Sequence, residues 1–141
     1  MKTNIFVLLI LFVGSFTTSY GQANLKFNQT FSSMNAVNIN LDVESKDNIV
    51  VKSIKGSRIV IEMLIDISSS NTRLLEFIAE GGRYDLEKSF NDETKTLTLS
   101  TKKHKDIITI KGEEINEQVS YVIYVPETTE RVNDTIAVLN L

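Results

Sequence analysis

Two stretches of this chain alternate side chains with a period of two, and a chain built on such stretches folds as sheets. In Ile59–Ile67, the side chains of Ile59, Ile61, Met63, Ile65 and Ile67 share one strand face, while Val60, Glu62, Leu64 and Asp66 share the other. In Val119–Pro126, Val119, Tyr121, Ile123 and Val125 share one face, and Ser120, Val122 and Tyr124 share the other. Branched aliphatic residues dominate both stretches and suit a pleated surface. The second has one fully apolar and one half-apolar face, which predicts a central strand covered on both sides. The only proline of the chain, Pro126, stops that strand, because it has no N–H to donate.

Further strands follow from the same period. Val37, Ile39, Leu41 and Val43 alternate with Asn38, Asn40, Asp42 and Glu44, a half-buried strand with one wet face. Ser45–Asn48 is turn chemistry, Ile49–Ile54 is a second strand, and Lys55-Gly56-Ser57 is the next turn. Together they predict a hairpin or meander. Ala23–Met34 reads as a polar lead-in anchored by Phe27 and Phe31. In the second half, Arg83–Phe90, Thr96–Thr101 and Ile107–Ile110 read as strands, separated by turns at Asn91-Asp92-Glu93 and Lys111-Gly112. Glu113–Gln118 is an acidic lead into the central strand, and Thr135–Leu141 is a final edge strand after a polar turn. That last strand runs straight to Leu141, which is also how an interrupted reading frame would look.

One segment changes period. Leu74, Leu75, Phe77 and Ile78 fit a helical stripe over Thr72–Glu80, with Asn71 as N-cap and Gly81-Gly82 as the stop. The fold class is therefore all-β, mainly antiparallel and sandwich- or solenoid-like, with one short helix near residues 72–80.

The first 21 residues read as a signal peptide. Lys2 precedes the unbroken apolar run Ile5–Val13, and Ser19-Tyr20-Gly21 places small residues at the −3 and −1 positions of a cleavage site. The run is shorter than the ~20 residues that span a bilayer, so no membrane span is expected after cleavage. Residues 22–141 then form a single β-rich domain, of a size that buries a core without staples. The chain has no cysteine, so it has neither disulfides nor a thiol for lipid attachment. A net charge of −3, with the charges scattered, argues against nucleic-acid binding, which needs a basic stripe. The expected location is the periplasm, the outer surface or the medium.

Few side chains invite chemistry. His104 is the only histidine, and its neighbours Lys103 and Lys105 disfavour the imidazolium. No second histidine and no cysteine complete a zinc or copper site, and a Ser-His-acid set would rest on His104 alone. Asp42, Glu44, Asp47 and Asn48 supply calcium-type oxygens but lack the spacing of an EF-hand loop. Glu113, Glu114 and Glu117 could pair for glycoside hydrolysis, yet nothing predicts a cleft, and tryptophan is absent. Gly81-Gly82 lacks either phosphate-loop pattern. Tyr121 and Tyr124 lie on opposite faces of one strand, so one is core and the other exposed. Asn28-Gln29-Thr30 and Asn133-Asp134-Thr135 match a glycosylation pattern, and Asp134-Thr135-Ile136 resembles an O-glycosylation signal; both are short. No catalytic, metal or cofactor residues are assigned, and no enzyme activity is expected.

The signal peptide, the F-x-x-M-x-A-V-x-I-N-L entry at Phe31–Leu41 and the E-Q-V-S-Y-V-I-Y-V-P-E segment at Glu117–Glu127 together resemble the N-terminal lead-in of bacterial envelope proteins described as adhesin-like, with β-solenoid folds. In those proteins a strand ending in Val-Pro leads into stacked rungs, whereas only Arg131–Leu141 remains here after that turn. The resemblance implies an exported, non-enzymatic structural or adhesin-like domain, with any protein or glycan partner left unassigned. The alternative is a small-ligand or lipid carrier whose strands enclose an apolar barrel cavity. A final edge strand also implies self-association.

Overall fold

The computed structural model describes residues 21–43, 48–102, 105–132 and 136–137. The signal-peptide segment before Gly21, His104, Glu44, Asp47 and the Asn133–Thr135 pattern lie outside the described residues.

The described residues form eleven strands and one helix: β1 (Ala23–Ser32), β2 (Asn38–Asp42), β3 (Ile49–Ile54), β4 (Arg58–Ile67), α1 (Thr72–Glu80), β5 (Leu86–Asn91), β6 (Thr96–Thr101), β7 (Thr109–Ile110), β8 (Glu113–Glu114), β9 (Glu117–Pro126), β10 (Arg131–Val132) and β11 (Ile136–Ala137). Their order is β1-β4-β9-β3 in a four-stranded sheet, β11-β10-β2-β6-β5 in a five-stranded sheet, and β7-β8 in a small hairpin. The fold is all-β with one short helix. Neither large sheet closes into a barrel.

The period-two pattern of β4 becomes its burial pattern. Ile59, Ile61, Met63, Ile65 and Ile67 are each at most 2% exposed. They face Ile39, Leu41, Leu97 and Leu99 of the second sheet within one hydrophobic core. Strand β9 lies between β4 and β3, antiparallel to the first and parallel to the second. It is central, as its composition requires, but covered on one face only. Tyr121, Ile123 and Val125 are buried, whereas Ser120, Val122 and Tyr124 are half-exposed. The half-apolar face meets no layer among the described residues. The ladder ends at Pro126, and the next N–H, that of Glu127, donates to the Ile54 carbonyl at 3.1 Å.

Further expectations about strands and their pairing are corrected. The lead-in Ala23–Met34 contains the ten-residue strand β1, antiparallel to β4 along its whole length. Gln29 interrupts its apolar row, and that side chain accepts the Leu86 N–H at 2.8 Å, bridging to the start of β5. The expected hairpin of residues 37–54 does not form, because β2 belongs to one sheet and β3 to the other. Strands β3 and β4 are not paired either, since β9 separates them. The ladders are mainly antiparallel, as the sequence pattern predicts, and three parallel ladders, β3–β9, β2–β6 and β2–β10, join them.

The helix begins and ends where its caps dictate. The Asn71 side chain accepts the Leu74 N–H at 3.1 Å. At the other end, Gly82 donates to the Ala79 carbonyl at 2.9 Å and Arg83 to the Ile78 carbonyl at 3.3 Å, a Schellman closure. It needs a left-handed residue, and Gly82 has φ +76°. Leu75 and Ala79 are buried. Phe77, expected in the apolar stripe, is 74% exposed instead. It lies two residues from each of those buried positions, and so on another face of the helix. Strand β5 also starts later than its pattern suggested, with Tyr84 in the turn before it.

Substitutions across β4 should separate its two faces. Ile61→Ala, on the fully buried row, is expected to lower unfolding free energy by about 2–5 kcal/mol. Leu64→Ala, at a position 45% exposed, is expected to cost less than about 1 kcal/mol. Urea denaturation of the two variants checks both.

Candidate functional site

The Schellman turn at the end of α1 reverses the chain and places Arg83 and Tyr84 beside the first residue of β9. There the Arg83 Nε donates to Glu117 Oε1 at 2.8 Å and its Nη2 to Oε2 at 2.5 Å. Tyr84 OH donates to the same Oε1 at 2.6 Å. A further Arg83 Nη2 bond reaches the Asp106 carbonyl at 2.8 Å. The Lys105 ammonium lies 5.5 Å from the Tyr84 ring centroid. One guanidinium thus joins the helix end, the segment before β7 and the start of β9. The bidentate geometry is the strong form of a carboxylate pair.

These contacts set the protonation states. Burial works against the charge on Glu117, but the hydrogen bonds from Arg83 and Tyr84 and the positive charges of Arg83 and Lys105 outweigh it, so its carboxyl sits below the usual range. Burial and the bond to Glu117 push the Tyr84 hydroxyl well above its ordinary value. The Glu117 hydrogen bond raises Arg83 in turn. At neutral pH the set is a carboxylate, a neutral phenol and a guanidinium. A carboxylate so held is a weak base and no acid, and a phenol so held does not become a nucleophile.

A shallow cleft of about 350 Å³ opens beside this cluster, at the end of the β4–β9 ladder. Gln22, Asp66, Ser68, Asn116 and Gln118 line it with Glu117. Two of its walls bond to each other: Ser68 N–H donates to the Asn116 carbonyl at 3.0 Å, and Asn116 N–H donates to Ser68 Oγ at 2.9 Å.

Those residues singled out in the sequence that the structure describes do not converge. Glu113 and Glu114 are exposed on β8, away from the bonded Glu117. Asp42 is exposed at the end of β2, and Asn48 is half-buried. Asn28 and Thr30 are exposed on β1. Tyr121 is core and Tyr124 half-exposed, with the Lys52 ammonium 5.5 Å from the Tyr124 ring centroid. Among the described residues, no group of three His, Cys, Asp or Glu side chains gathers to hold a metal ion. No helix among them is long and apolar enough to cross a membrane. The clasp was missed because Arg83 and Glu117 are 34 residues apart; the one local sign is Arg-Tyr directly after a Gly-Gly helix stop.

No protein-family model, curated protein or solved structure matches this chain.

The lowered Glu117 pKa has a sign for stability. The group stabilises the fold above its unfolded value near 4.5, and that contribution is lost as pH falls through the lower folded value. Glu117→Gln is therefore expected to cost about 1–3 kcal/mol at pH 7. The difference from the parent should shrink as pH is lowered towards ~3. Thermal unfolding across that range checks it; a gap that does not change with pH would contradict it.

Proposed function

We propose that this chain is an exported, non-enzymatic β-domain of the cell envelope with a structural or adhesin-like role. The carrying observation is the self-sufficiency of the Arg83–Tyr84–Glu117 clasp. Both Glu117 oxygens accept bonds from within the domain, so this part-buried cluster among the described residues serves packing, and its carboxylate is already committed to Arg83 and Tyr84. The n-region, apolar run and small-residue cleavage site of residues 1–21 support export. The parallel β2–β6, β2–β10 and β3–β9 ladders are in keeping with a solenoid-like lead-in, where strands stack in parallel. The carrier alternative has less support. It needs a closed or half-open barrel around an apolar cavity, whereas the inward side chains of β4 and β9 pack into a continuous core with the second sheet.

The test is the intact mass and fraction of the protein recovered from its host. A polypeptide beginning at Gln22 or Ala23, found in the envelope or the medium, is the expected result. An uncleaved chain retaining Met1 and confined to the cytosol would overturn the proposal. A mass far above that of residues 22–141 would make this domain the lead-in of a longer envelope protein.

A further inference from the structure

We infer that the open edge of β3 is a self-association surface, on which a second copy of this chain docks its own β3 antiparallel across a two-fold axis. The inference concerns a different part of the molecule from the proposed envelope role and does not depend on it.

The backbone decides which groups are offered. Glu127 N–H donates to the Ile54 carbonyl across the parallel β3–β9 ladder. Ile54, and by strand alternation Lys52 and Val50, therefore turn their backbone groups towards β9. Ile49, Val51 and Ser53 turn theirs outward, where β3 has no further strand neighbour among the described residues. A row of outward amides and carbonyls is matched by another extended chain.

The other edges are better defended. Strand β1 lies against α1 and carries Lys26, ion-paired to Glu62. Strand β5 exposes Glu87 and Lys88. The described part of β11 is two residues long. Strand β3 instead shows Val50, 52% exposed, and one charge, Lys52. Edge lysines ordinarily repel an incoming strand. Here the ammonium lies over the Tyr124 ring on the neighbouring strand, drawn back from the open side.

A second copy fits this edge in one register better than in its neighbours. With Val51 opposite Val51 on the axis, Ile49 falls opposite Ser53, so every outward backbone group of β3 gains a partner. On the outer face Val50 then falls opposite Lys52, and no like charges oppose each other. Moving the axis to Lys52 would set the two lysines face to face. The paired sheets would form one eight-stranded sheet across the axis. Six residues a side is a small interface, so the dimer should be weak, with a dissociation constant on the order of 100 μM.

Charge of opposite sign at position 50 tests the register. Sedimentation equilibrium of the purified protein up to ~1 mM is expected to show a reversible dimer. Val50→Lys sets a lysine opposite Lys52 and should weaken association at least ~10-fold, whereas Val50→Glu creates a cross-strand ion pair and should keep or tighten it. Circular dichroism and melting confirm that both variants fold. A parent that stays monomeric throughout, an equal loss in both variants, or no change in either would each overturn the inference.

Discussion

The four-stranded order of the first sheet depends on β9 reaching its slot between β3 and β4. Those two strands are consecutive in sequence, yet neither pairs with the other. Among the described residues β3 joins the sheet only through β9, a strand from much later in the chain, whereas β4 also pairs with β1; the inner row of β9, Tyr121, Ile123 and Val125, completes the core beside Ile61 and Met63. Until β9 arrives, β3 has no ladder partner at all among the described residues. The pairing of the second edge of β4 and the docking of β3 are therefore one event, with a high loop-closure cost and a slow folding rate as its consequence.

The Arg83 clasp serves the same insertion. Glu117 is the first residue of β9, and its carboxylate is held by the two residues that leave the helix. A glycine with φ +76° turns the chain so that those residues point at it. The clasp anchors one end of β9, and Pro126 terminates the other. Between these two stops the register of the strand is settled by its inward row, since a one-residue slip would carry Ile123 to the wet face.

The elements most legible in the sequence are those whose side chains carry a clean period. β4, α1 and β6 appear over the spans their patterns describe. β1 was hidden because its inward row includes Gln29, a polar residue that satisfies a backbone N–H on the other sheet; local pattern cannot see a partner so distant in sequence. The failed hairpin has a related cause. Turn residues at 45–48 say that the chain bends, not whether the strands on either side share a sheet. Parallel partners leave still less trace, because neither ladder side is joined to the other by a short turn. The clasp joins residues 34 positions apart, and nothing in either segment alone announces the other.

Native-state hydrogen exchange tests the central role of β9 most directly. If its insertion holds the sheet together, the amides of Ile61 on β4 and Ile123 on β9 exchange only through global unfolding, at a common free energy, while the β7–β8 hairpin opens at lower cost. Exchange of the β9 amides at the rate of that hairpin, with β1 and β4 still protected, would show that the sheet stands without β9.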